Sequence, residues 1–193
     1  MFSGLSDTAW AMQYAYISNN SNPLGKKDAL EYAQDGSTYS KIHQELHPTL
    51  RNFLQKFGYY DIFIADIKTG DILYSVFKEL DFATSLKTGP YSNTSISEAY
   101  EKALRLTDNE QTVLVDFRTY LPSYNAPASF MASPIYKNGE NNFDIIKKGT
   151  EAQKGDDNFL LDLEKVKLRS IDFSFIDLQS TQNYSTQIHE LEM

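Results

Sequence analysis

Apolar residues first recur at helical spacing. Leu5, Ala9, Met12 and Tyr16 fall on one face, which predicts a helix over residues 5–17 with Ser6 or Asp7 as its cap. Residues 19–25 are polar and contain Pro23 and Gly25, both of which oppose continuation, and residues 26–34 leave room for one or two helical turns. A longer helix is expected from Ser37 or Thr38 to Phe57, with Ile42, Leu46, Leu50, Phe53, Leu54 and Phe57 on its apolar face. Pro48 lies inside it and predicts a kink or restart, and Gly58 is the expected stop.

The period then changes from helical to alternating. Residues 59–66 and 72–77 are rich in β-formers, with Gly70 in a turn between them, and predict a hairpin. Residues 78–93 read as a loop. Ser95 and Glu98 have capping-box spacing at the head of a short helix ending near Leu106. Strands are expected over residues 112–117 and from 128 to Tyr136, around a loop at 120–127 and followed by a turn at 137–140. Beyond Gly139 the chain turns acidic. There, residues 158–168 are expected to be helical, residues 171–175 to form a strand, and the last fifteen residues to be poorly committed. The expected division is a helical segment over 1–57, a core over 58–140 and an acidic region over 141–193. Helices first and neighbouring strands after them predict an α+β fold with an antiparallel sheet, one face covered by helices and the other roofed by loops into a cup.

Charge and composition narrow the function. The 193 residues carry 18 Lys+Arg and 26 Asp+Glu, a formal net charge of -8, which repels a phosphate backbone and argues against nucleic acid as a partner. With no cysteine, thiolate nucleophiles, disulfides and iron–sulfur clusters are excluded. The 13 Tyr and 12 Phe suffice for a sizeable core. No apolar run approaches the roughly 20 residues of a membrane span, and the first residues lack the pattern of a secretory signal. Phosphate-binding glycine loops, dinucleotide fingerprints and nucleophile elbows are absent, so no enzyme, catalytic residue or cofactor is expected. His43 and His47 stand at metal-ligand spacing on one helical face, but no third ligand accompanies them and helix packing explains them better.

Several blocks carry a resemblance. They are residues 16–28 (YISNNSNPLGKKD), the string Tyr39, His43, His47, Pro48 and Arg51, residues 58–66 (GYYDIFIAD), 74–86 (YSVFKELDFATSL), 89–91 (GPY) and 116–130 (DFRTYLPSYNAPASF). Together they resemble bacterial Cache sensor domains, similar to the extracytoplasmic part of methyl-accepting chemotaxis proteins, over about residues 14–136. The resemblance implies a PAS-like antiparallel sheet docked on a long N-terminal helix, a periplasmic or otherwise extracytoplasmic location, and a role in signal transduction. The pattern departs after about residue 140, where the family's final apolar strand is weakly replaced by residues 141–148, and residues 171–175 are a candidate substitute.

Candidate ligand-binding residues follow from strand parity and from this resemblance. Asp116, at the end of a β-rich run, is suited to a ligand ammonium or to capping a turn. Tyr120 follows it, and Arg118 is a candidate for a ligand carboxylate, as is Arg51. Asp81 and Thr84 reach either a ligand or the backbone of their own loop. Tyr74 and Phe77 have opposite parity, and the hydroxyl of Tyr74 makes it the better lining residue. The expected partners are a small polar metabolite and a second copy of the chain held through the N-terminal helices. The alternative is a detached or degenerate Cache domain acting as a dimerisation or interaction module without ligand.

Overall fold

The computed structural model describes residues 5–107 and 111–135, together with the backbones of two strands, Ile171–Ile176 and Asn183–Ile188. The first helix, α1, spans Asp7–Gln13, and the Ser6 side chain caps it by accepting the Ala9 N–H at 3.1 Å. It runs into a π-turn, Tyr14–Ser18, closed by the Asn19 N–H on the Tyr14 carbonyl at 2.7 Å. The widened turn sets Tyr16 wholly inside the protein. A single 3-10 turn, Lys27–Ala29, occupies the stretch where one or two helical turns are expected.

Helix α2 spans Thr38–Phe57, capped by Ser37 at the start and by Gly58 in the left-handed region (φ 70°) at the end. The expected restart at Pro48 does not occur. The helix continues through it, because the one carbonyl that Pro48 deprives of a donor belongs to Gln44 on the exposed face. Leu46 and Leu54 are buried against Leu73, Tyr74 and Val76, with Ile42 and Leu50 packed alongside.

Strands β1 (Phe63–Ala65) and β2 (Ile72–Ser75) form the expected antiparallel hairpin, with a register shift at Ile64/Ala65. All four β2 residues are buried. Helix α3 spans Ser95–Ala103, and β3 (Val113–Thr119) pairs antiparallel with β4 (Pro127–Ala132) around a 3-10 turn, Leu121–Ser123. Strands β5 (Ile171–Ile176) and β6 (Asn183–Ile188) pair with each other. The segment expected to close the sheet therefore finds its partner within the tail expected to be uncommitted. The remaining expectations after β4, the turn at 137–140 and the helix at 158–168, fall outside the described residues.

The α+β class holds, but the strands do not merge into one sheet. Among the described residues they form three separate two-stranded ribbons. The reason is visible at β2, whose second edge is taken by the following loop. The Ile72 N–H donates to the Thr84 carbonyl at 2.9 Å, the Ala83 N–H donates to the Ile72 carbonyl at 3.1 Å, and Asp71 bridges to Ser85. An edge already paired with a loop cannot accept another strand. The expected capping box also fails. Thr94 is the N-cap residue, its hydroxyl donates to the Tyr91 carbonyl at 2.6 Å, and Glu98 instead pairs with Lys102 and Arg118. Among the described residues, no helix is long and apolar enough to cross a membrane.

Candidate functional site

The loop after β2 turns inward and places polar side chains in the core. Asp81 and Thr84 are fully buried on it. The Thr84 hydroxyl donates to the Asp81 carbonyl at 2.7 Å, so it pins its own loop. One Asp81 oxygen accepts the Tyr120 hydroxyl at 2.5 Å, and the other, Oδ1, is buried with no partner. Desolvation raises the Asp81 carboxyl to about 7, against the lowering pull of the Tyr120 bond, and Asp61 and Glu79 add to the rise. Tyr120 is in turn held far above the ordinary phenol range by burial and by that carboxylate.

Tyr74 belongs to the same interior from the β2 side, as do its neighbours Leu73 and Ser75 on both faces of the strand, whereas Phe77 is only half-buried. The Tyr74 hydroxyl meets His47 Nδ1 at 2.7 Å. The second ring nitrogen of His47 lies 2.7 Å from the Asp28 carbonyl, to which only an N–H can bond. His47 is therefore protonated on Nε2, and Tyr74 donates to Nδ1. His43 is the opposite tautomer. Its Nδ1 donates to the Glu31 carbonyl at 2.7 Å, leaving the Nε2 lone pair buried without a partner. The two rings stack at 4.4 Å. Burial and the nearby Lys78 keep both neutral, lowering His47 to about 4 and His43 further still. Asp28 bridges outward, with one carboxylate oxygen accepting Arg51 Nε at 2.9 Å and Oδ1 buried without a partner.

Lys78 sits between these groups, 1% exposed, and was not a candidate in the sequence. Its ammonium donates to the Ser75 carbonyl at 2.5 Å and to the Val76 carbonyl at 3.2 Å. It lies over the rings of Tyr74, Tyr16 and Phe82, at 4.8, 5.7 and 6.0 Å. Asp61 fastens the same corner, accepting the Ser75 hydroxyl at 2.8 Å and the Val76 N–H at 2.8 Å. A lysine following a strand and preceding a glutamate reads as a solvated turn residue, so its sequence position carried no sign of this burial.

Asp116 and Arg118 lie elsewhere. Both are exposed on β3. Asp116 Oδ1 accepts the N–H of the next residue, and Arg118 pairs with Glu98 at 2.7 Å. Val115 is the inward residue of this strand, so alternation turns its neighbour Asp116 outward. Of the six candidates, the fold thus gathers Tyr74, Asp81, Thr84 and Tyr120 in the interior and leaves Asp116 and Arg118 on the surface. At the four interior residues a water-sized sphere reaches 1% of the surface or less. The region expected to be an open cup is closed to solvent at these residues in this state. Comparison of the chain with family models, with curated proteins and with solved structures found no match.

Proposed function

We propose that this chain is a sensor module of the Cache, PAS-like type, which binds a small polar metabolite in the interior between α1, α2, β2 and the loop at residues 78–93. It works in the extracytoplasmic part of a signalling receptor and has no catalytic role. One observation carries the reading: the interior holds more polar atoms than it satisfies. Asp28 Oδ1, His43 Nε2 and Asp81 Oδ1 are all buried without partners. Each such orphan costs on the order of 1–3 kcal/mol, a cost that a ligand with matching donors removes. The sequence blocks that resemble Cache domains also include the loop that carries Asp81 and the turn beside Tyr120. Ligand uptake requires the loop to open. Closure on the ligand then alters how β2 sits on α2, which is two-state coupling.

A second reading, an interaction module that binds no ligand, is favoured by the closed interior, where Tyr16, Phe82, Asp81 and Thr84 are all 0% exposed. Thermal melting in the presence of amino acids, carboxylates and amines separates the two. A sensor shows a rise in Tm with at least one compound, abolished by Asp81→Ala and retained in Asp116→Ala. If no compound raises the Tm, the sensor reading falls and the interaction module stands.

A further inference from the structure

Lysine normally lays its carbon stem along the surface and keeps its ammonium in water. Lys78 does the reverse, and its backbone is bent to allow it. Its φ is 56°, in the left-handed region that a residue with a Cβ seldom adopts. The main-chain N–H is held on the Ser75 hydroxyl at 2.9 Å, which directs the side chain back beneath β2. There the ammonium meets two carbonyls and the rings of Tyr16, Tyr74 and Phe82, all within the roughly 6 Å over which a ring face attracts a cation. Carbonyl oxygens to take N–H bonds and aromatic faces to take the charge are together what a receptor for a primary ammonium needs.

We infer that the space among Tyr16, Tyr74, Phe82 and the Ser75 and Val76 carbonyls is a binding site for an unbranched primary alkylammonium group, held shut in this state by the protein's own Lys78 side chain. Lys78 is then a tethered competitor. Burial holds its pKa below the ordinary lysine range while the Asp61 and Asp28 carboxylates pull it back up. The biological use of this device rests on the sensor reading, whereas the site itself rests on the geometry alone.

Lys78→Gly in the full chain tests it. Glycine accepts a φ of 56° without strain, and the atoms removed correspond to n-butylammonium. The expected result is that n-butylammonium chloride raises the Tm of Lys78→Gly at millimolar concentration, while n-butanol, of the same length and uncharged, raises it far less. Wild type should need at least about twofold more n-butylammonium for the same rise, because a tethered group at an effective concentration on the order of millimolar competes with a millimolar binder on about equal terms. Equal stabilisation by n-butanol, or none by either compound, overturns the inference.

Should Lys78→Gly not fold, hydrogen exchange of wild type serves instead. Tens of millimolar n-butylammonium should accelerate exchange of the amides at residues 78–86, and n-butanol should not; unchanged exchange overturns the inference. The two claims fail separately. A Lys78→Gly response with no metabolite acting on wild type leaves the ammonium site and removes the sensor. A metabolite that stabilises wild type, with no response in Lys78→Gly, does the opposite.

Discussion

Asp81 enters the interior on a loop and finds a single donor for its two oxygens. Burial raises its pKa from 3.8 to about 7, so the folded protein retains a proton that the unfolded chain releases. The stability this contributes is complete below about pH 4 and is lost as the pH rises through about 7. Asp81→Asn keeps an acceptor for Tyr120 and cannot ionise. Urea melts of both proteins between pH 4 and 8 should show wild type losing stability relative to Asp81→Asn as the pH rises, by on the order of 1.4 kcal/mol for each pH unit between the unfolded and folded pKa. A flat difference would mean that water reaches the carboxylate. The two histidines act in the opposite sense, since they stay neutral inside and favour the fold above their ordinary pKa. Comparing one variant with wild type removes their contribution.

At the scale of elements, the loop between β2 and α3 is held as firmly as a strand. It borders β2 through Ala83 and Thr84, and it closes on itself where the Gly89 N–H donates to the Ser85 carbonyl at 2.8 Å. A Cβ at Gly89 would stand 2.4 Å from that carbonyl oxygen and 2.9 Å from the Ser85 nitrogen. Neither is the end of a flexible side chain, so Gly89→Ala must displace the turn and should cost about 1–3 kcal/mol. Gly58→Ala is the useful contrast. A Cβ there meets nothing within 4 Å, and the cost comes from its positive φ alone, about 1 kcal/mol. Denaturant unfolding of the two variants should preserve that order. The first helix's cap was legible in the sequence to within Ser6 and Asp7, the start of α2 to within one residue, and its stop at Gly58 outright, because each acts through its own neighbours. The N-cap at Thr94 was not, because adjacent Thr94 and Ser95 both suit the role and the hydroxyl bond to Tyr91 decided between them.

At the scale of the molecule, separate ribbons are joined by side chains. Tyr120 is the principal joint between the β3–β4 ribbon and the loop. It donates to Asp81, lies 5.0 Å from the Phe130 ring and 6.2 Å from the Tyr91 ring. Tyr120→Phe keeps the ring contacts and removes the bond, leaving both Asp81 oxygens without a donor. Native-state hydrogen exchange should then quicken in β3 and β4 more than in β1 and β2. Equal quickening throughout would show that the ribbons unfold as one unit whether or not the bond is present.

The sequence by itself determined the elements that depend on local chemistry: the two N-terminal helices, the hairpin around Gly70 and the β3–β4 pair. Spacing and turn chemistry act within a few residues, so they can be read without a fold. Only the tertiary structure decided that the ribbons stay apart, because a loop took the free edge of β2. It alone turned Lys78 inward, through a backbone bend, and left Asp116 outside, because the neighbouring Val115 took the inward face of β3. Burial is a relation between segments distant along the chain, and the identity of a single residue does not encode it.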